Sequence, residues 1–397
     1  MTKRWGILGF AAILAASPGL CDTFTHKTSG QKYHGYAVSA PEEDATTRVQ
    51  TVEKGEVRLA LGEWQVQRNA EGRRPHVGLL TIGSEIDLEM ETAAFEKALI
   101  EEADKGPQFI LIEIDTPGGS VPLVQRLCNA IVQVQNCTTV AYVRGGKHGG
   151  AYSGGAAVAL ACDRIYMSEG TAMGAATMIA ASGTVGVAEI EKVVGKTIGE
   201  KMRSAWRNYL ASLAQRNDRP AVLARAMEDK DIEAVEVEYL GRREFIEAAD
   251  RKQGHRLVRV WSRKGSLLTL TARDAAACGM AEKVVASRQD VLAAMGCPGA
   301  TVAANTKTDD ARRTYELAMK KLEQVGSALD LHVKRLVVSP NSMPRAQALR
   351  MLRDIIQDMQ YLVKLKKSFP DMPYDGQEIE EDLNTIQALH DSLKTAR

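Results

Sequence analysis

The spacing of hydrophobic positions changes character several times along the 397 residues. After the basic pair Lys3 and Arg4, an apolar run covers Trp5 to Ala16 and stops at Ser17-Pro18-Gly19. A basic start, a short apolar stretch and a small-residue breaker have the form of an export signal. The run is too short for a membrane-spanning helix, which takes about 20 residues. Cleavage after Cys21 makes residues 1–21 a signal peptide. Acylation of Cys21 is the alternative, although Leu20 stands where a lipobox needs a small residue. Residues 22–70 then alternate apolar and polar, as in Glu56 to Leu61 and Trp64-Gln65-Val66, with turn residues between. That is the period of half-buried strands and predicts a small β-rich module.

From His76 the texture becomes strand, helix, strand. His76 to Ile82 reads as a strand and Glu89 to Asp104 as a helix. Phe109 to Ile114 is almost continuously apolar, as for a strand buried on both faces. Val121 to Val134 reads as a helix, Thr138 to Val143 as a strand, Ala156 to Cys162 as a helix of small residues, and Arg164 to Met167 as a strand. Alternation of this kind predicts an α/β domain on a mostly parallel sheet, spanning residues 75–296. Thr271 followed by Asp274 is a helix-capping pattern near its end. Residues 297–310 are rich in Pro, Gly, Ala and Thr and read as a linker. Beyond them, residues 311–397 carry three runs at 3–4 spacing. The first holds Tyr315, Ala318, Leu322, Val325, Leu329 and Leu336, the second Leu352, Ile355, Met359 and Leu362, and the third Ile379, Leu383, Ile386 and Leu389. A helical hairpin or three-helix bundle follows, with His332 on the apolar seam as a core histidine.

Composition narrows the function. Lys plus Arg is 51 against 50 acidic residues, a net charge of +1, which excludes a generally basic nucleic-acid binder. Aromatic residues are 5% of the chain, too few for a stacking platform for single strands. Six cysteines without a C-x-x-C disfavour zinc ribbons and thioredoxin-like sites, and Cys128 and Cys162 lie in apolar stretches as buried thiols. Ser29 to Lys32 matches S-x-x-K without its companion motifs, and Gly195-Lys196-Thr197 ends like a P-loop with Ile190 at the required glycine. No metal or cofactor is expected.

Two glycine-rich segments remain. Asp115-Thr116-Pro117-Gly118-Gly119-Ser120 follows a buried strand and opens a helix, a setting in which backbone N–H groups favour negative charge. A tight turn without a ligand would look the same. Gly145 to Ala157 also follows a strand and opens a helix, and it presents Ser153 among Gly154, Gly155 and Ala156. A serine at such a turn has the form of a nucleophile with an adjacent oxyanion donor. Taken alone, it also fits a serine in a tightly packed helix.

Five ordered segments together resemble the Clp/crotonase superfamily of the serine-protease kind, and within it the NfeD-like membrane-associated proteases and the signal-peptide-peptidase A family. They are Ile114 to Gly119, the Ser153 segment, Ala161 to Met167, Gly170 to Ala176 and Leu268 to Ala272. The resemblance implies a ClpP/crotonase-like domain of repeated ββα units and an exported, periplasmic serine endopeptidase acting on peptide or protein substrates beside the membrane. It also implies homo-oligomerisation. Ser153 would attack, Gly118 and Gly119 with Gly154 would hold the oxyanion, and a lysine would act as base. The matching helix begins at Glu200-Lys201-Met202, which makes Lys201 the base, with Lys196 and Lys192 as alternatives. A lysine amine of pKa ~10.4 accepts a proton at neutral pH only when desolvated, so burial of Lys201 is expected. The peptide would add as a strand beside Pro117 to Gly119. No histidine lies between Ser153 and His255, and His148 on the approach loop is a rim residue.

The chain departs from the family at Tyr152-Ser153-Gly154-Gly155, where Ala-Ser-Ala-Gly is usual. A second glycine predicts a looser helix start and a less efficient site. Where longer NfeD-like proteins continue into a membrane region and a small β-barrel, a helical module stands here. The rival functions are an inactive ClpP-like scaffold that binds partners, and, further off, an acyl-CoA enzyme on the same fold.

Overall fold

The computed structural model describes residues 22–37, 46–51, 53–67, 76–181, 187–298, 300–338 and 343–395. The expected signal peptide, residues 1–21, lies outside them. Five strands open the chain: β1 (Asp22–His26), β2 (Lys32–Ala37), β3 (Thr46–Thr51), β4 (Gly55–Ala60) and β5 (Trp64–Gln67). They pair antiparallel in the order β4-β3-β2-β1-β5 and enclose a small core of Phe24, Tyr33, Val49, Leu59 and Trp64. The alternation in the sequence predicts this module.

The central domain then runs β6 (His76–Ile82), α1 (Glu89–Asp104), β7 (Phe109–Ile114), α2 (Val121–Gln133), β8 (Thr138–Val143), β9 (Gly150–Tyr152), α3 (Gly154–Ala161), β10 (Arg164–Ser168), β11 (Ala172–Gly174), β12 (Ile179–Ala181), β13 (Val187–Glu189), α4 (Ile190–Val194), α5 (Lys196–Arg216) and α6 (Ala221–Glu228). It continues with β14 (Ala234–Tyr239), β15 (Arg242–Glu247), β16 (Arg256–Val260), β17 (Thr269–Thr271), α7 (Ala272–Ala277), β18 (Lys283–Val285), α8 (Arg288–Ala294) and β19 (Thr301–Ala304). The chain closes with α9 (Lys307–Val338), α10 (Arg345–Ser368) and α11 (Gly376–Thr395).

The main sheet is wholly parallel, in the order β18-β10-β8-β7-β6-β19. Side chains alternate across a strand, so the apolar run of β7 divides between two cores. Ile110, Ile112 and Ile114 join the large core under α1, α2, α3, α5 and α6. Phe109 and Leu111 join a second core with Val291, Leu292 and Met295. Each such side chain, fully buried, contributes about 1.5–3 kcal/mol, which is why the run admits no polar position on either face until Glu113. Glu113 is itself buried and paired with Arg288 at 2.6 Å and Arg144 at 3.4 Å. A small sheet, β17-β11-β9, carries the second glycine-rich segment, and β15-β14-β16 forms a separate antiparallel layer.

The linker expectation for residues 297–310 is corrected. Cys297 is buried, β19 extends the main sheet beside β6, and α9 begins at Lys307. Thr301-Val302-Ala303-Ala304 is able to form a strand, and it satisfies the outer backbone groups of β6. The helices follow the predicted spacing: Met351, Leu352, Ile355, Met359, Leu362 and Leu365 of α10 are buried, while α11 packs on α10 with no fully buried residue. His332 faces Asp358 at 3.4 Å between α9 and α10. No helix among the described residues is long and apolar enough to cross a membrane.

All five described cysteines are free and buried, and desolvation raises every thiol: Cys128, Cys137 and Cys297 to about 12, Cys278 to about 11, and Cys162 well above its ordinary value. Because the thiolate is the reactive form, these five are expected to resist a thiol reagent in the folded protein and to react together on denaturation. A count by Ellman's reagent with and without guanidinium checks this. Rapid native labelling of any of the five would contradict it.

Candidate active site

The loop after β7 is fixed by two buried side chains. The Asp115 carboxylate accepts the N–H groups of His148 at 3.1 Å and Gly150 at 3.2 Å. Thr116 is fully buried: its N–H donates to the Gly150 carbonyl, its carbonyl accepts from Tyr152, and its hydroxyl donates to the Ser84 carbonyl at 2.6 Å. The two glycine-rich segments are thereby tied to each other. His148, half-buried on the approach loop, enters this network through its backbone alone.

Ser153 sits at the turn between β9 and α3 with φ 50° and ψ −119°. A non-glycine residue held at positive φ costs on the order of 1–3 kcal/mol and persists only where its surroundings over-determine it. Here the Ser153 N–H donates to the Gly174 carbonyl at 2.9 Å, and its carbonyl accepts from Ala156 at 3.1 Å. Among the described residues the Ser153 hydroxyl makes no hydrogen bond, and the residue lines a cleft of about 270 Å³.

The glycines around it are demanded by contact. A Cβ on Gly118 would lie 2.5 Å from the Ser153 Cβ and 2.9 Å from its Oγ, so the glycine lets the turn lie directly against the serine. The Gly118 N–H is taken by the Thr116 hydroxyl at 3.1 Å, and its carbonyl accepts from Ile86. What the structure gives Gly118 is close approach to the serine, with its N–H already engaged. Gly119 pairs with Ile86 in a parallel bridge built on the Gly118 carbonyl and the Ser120 N–H, which turns its own N–H away from Ile86. Gly154 opens α3, where the first N–H groups of a helix lack intrahelical partners. Gly119 and Gly154 both line the cleft with Ser153.

The expected slackness of Gly154-Gly155 is also corrected. A Cβ on Gly154 would come 2.4 Å from Val124 Cγ2, and one on Gly155 would come 2.5 Å from Thr116 Cγ2. All eight residues of α3 are buried. At its far end Arg219, 6% exposed, donates to the carbonyls of Leu160, Cys162 and Asp163 at 2.9–3.1 Å, and Asn217 joins at Cys162. A cation at a helix C-terminus is favourable, and here it caps the helix whose other end presents Ser153. Burial lowers the Arg219 guanidinium to about 10. Sequence reasoning missed Arg219, since a single arginine after a helix carries no spacing signal.

One wall of the cleft is apolar: Val121, Pro122, Met178, Ile190, Met202 and Trp206. Trp206 is buried and donates through Nε1 to the Ala176 carbonyl at 2.8 Å, holding the strip that follows Gly174. Met202 and Trp206 are four residues apart and share a face of α5. Lys201 lies about 100° around the helix from Met202 and is exposed, outside the cleft lining. The expected burial of Lys201 is not met. Lys196 and Lys192 are exposed too, and among the described residues no lysine lines the cleft. The physical reason is the register of α5. Arg203 bonds Glu228 at 2.8 Å and Glu191 at 2.9 Å, Arg207 pairs with Asp229, and Glu200 meets Arg207 at 3.4 Å. Those pairs fix one flank of α5 on α4 and α6 and leave Lys201 to solvent.

Gly154→Ala is expected to cost about 1–3 kcal/mol by overpacking against Val124, a stiff β-branched neighbour. Val124→Ala should relieve that cost, so the double variant should melt higher than the sum of the single effects allows, with a coupling of about 0.5–3 kcal/mol. Melting curves of the four proteins decide it, and strict additivity would refute the contact.

Residues 77–247 match a family model described as NfeD1b, N-terminal domain. Over 173 residues the chain is 32% identical to "Membrane protein NfeD1b" of Bacillus subtilis (strain 168), an alignment covering 43% of this chain and 35% of that protein. The chain thus spans about a third of that relative's length. Among solved structures, a serine-to-alanine mutant of "1510-N membrane-bound stomatin-specific protease" gives a TM-score of 0.43 at 20% identity, over 58% of this chain and 98% of that one. ClpP1 from Listeria monocytogenes gives 0.31 at 13% identity, over 54% and 94%. Over residues 77–247, the match to the NfeD1b N-terminal domain agrees with the NfeD-like resemblance drawn from the motifs.

Proposed function

We propose that the chain is a serine endopeptidase of the NfeD-like kind, exported to the periplasm, with Ser153 as nucleophile. The observation that carries this is the Ser153 hydroxyl itself. It is unbonded among the described residues and belongs to a residue held at positive φ that lines the cleft together with Gly119 and Gly154. Backbone strain of this kind is retained where a side chain must be aimed. The Gly119 and Gly154 N–H groups would receive the oxyanion, and removal of one such donor typically costs ~2.7–4 kcal/mol of barrier. An extended peptide would pair beside Pro117 to Gly119. Ile179 and Met202, exposed at the cleft, suit apolar segments of exported or membrane-associated proteins. Homo-oligomerisation belongs to the same proposal.

Lys201 is the base in this reading. It adjoins Met202 at the cleft wall, and its long stem must swing inward and shed water before the amine can take the Ser153 proton. Attack would form the Oγ–C bond, collapse of the tetrahedral adduct would break the C–N bond as the proton passes from the lysine to the leaving amine, and water would then cleave the Oγ–C ester to release the acid and restore Ser153. The exposure of Lys201 favours a second reading, a ClpP-like scaffold that binds partners without cleaving them.

Fluorophosphonate labelling and peptide cleavage by wild type, Ser153→Ala and Lys201→Ala separate the two. A hydrolase should label in the wild type, lose labelling in Ser153→Ala, and lose about 10²–10⁴-fold of rate in Lys201→Ala. Labelling that survives Ser153→Ala removes the nucleophile. A wild type inert to probe and peptide supports the scaffold.

A further inference from the structure

One side chain of the helical module bonds the segment beneath the candidate site. Arg312, on the second turn of α9, donates to the Glu85 carbonyl at 2.7 Å and to Asp87 at 2.6 Å, and forms an ion pair with Glu91. Residues 84–87 are the segment on which the oxyanion side of the cleft rests. Ile86 donates to the Gly118 carbonyl and accepts from Ser120, both at 2.8 Å, and the Ser84 carbonyl accepts the Thr116 hydroxyl at 2.6 Å. The Ser84 hydroxyl in turn donates to Glu91 at 2.8 Å. Arg312, at 19% side-chain exposure, therefore closes a path of direct contacts from α9 through residues 84–87 to Gly118, Gly119 and Thr116, and so to Ser153.

Two other polar anchors of the module bypass this segment. Lys307 pairs with Glu101, and Asn305 bonds Glu102 at 2.9 Å, both toward the far end of α1. The module is thus held on the core at several points, of which Arg312 alone among these touches the brace under the glycines. We propose that Arg312 is a positioning residue for the oxyanion side of the site, and that the helical module sets the catalytic competence of the domain through it. Hydrogen bonds to a charged group are the stronger kind, and a carbonyl fixed by one holds its neighbours in register. This rests on the hydrolase reading above.

The test compares Arg312→Gln with Lys307→Gln in the full chain. Arg312→Gln should slow fluorophosphonate labelling of Ser153 about tenfold and lower kcat with KM within about twofold. Lys307→Gln, which loosens the same helix elsewhere, should leave labelling within about twofold. Equal slowing in both variants, or unchanged labelling in Arg312→Gln, overturns the proposal. If Arg312→Gln does not fold, Asp87→Asn removes a partner of the same guanidinium and should slow labelling about threefold; no change counts against the proposal. Amide hydrogen exchange at Ile86 and Ser120 needs no activity. Faster exchange there in the Arg312 or Asp87 variant, and not in Lys307→Gln, supports the coupling even if the wild type proves inert, while unaltered exchange refutes it. Failure of the hydrolase reading and failure of the coupling are thereby told apart.

Discussion

Thr116 is the constraint on which the site depends. Two residues after the central strand β7, it is sealed from water and bonded on three sides: to Gly150 at the start of β9, to Tyr152 beside the serine, and to the segment under Gly118. A buried polar group left without its partner costs about 1–3 kcal/mol, so the two glycine-rich segments can separate only at a penalty. The strain at Ser153 is of similar size and is held in place by the same contacts. Arg219 at one end of α3 and Thr116 at the other leave that helix little freedom.

The small residues around the serine have distinct causes. Gly118 is small because the serine lies against it, Gly154 because Val124 does, and Gly155 because the Thr116 methyl does. Gly154 and Val124 fit as a pair: the space a side chain on α3 would take is filled from α2. A local sequence anomaly is thus a distributed packing solution, in keeping with the high density of protein interiors.

Much of the fold was legible because burial on two faces leaves a strong mark. The apolar run of β7, the alternation of β1 to β5 and the 3–4 spacing of α10 each report one environment repeated over several residues. Thr271 and Asp274 cap α7 as their spacing implies. Strand β19 was hidden in a Thr- and Ala-rich stretch whose pairing is decided by the edge of β6, a neighbour more than 200 positions earlier. Strands β15 and β16 hold several arginines and no fully buried residue, so hydrophobic period says little there. The motifs singled out Ser153 and the glycines that the fold packs around it. The orientation of Lys201 escaped them because helix register is set by Arg203 and Arg207, which no catalytic motif includes.

The strand after the α/β domain gives the chain a boundary different from the one its composition suggests. Cut at residue 296, the domain would bare a row of unsatisfied amides and carbonyls along β6, the kind of open margin that recruits strands from neighbouring molecules. Retained through Ala304, the same piece carries its own selvedge. The main sheet therefore runs almost to the start of α9, and sheet and helices share a seam.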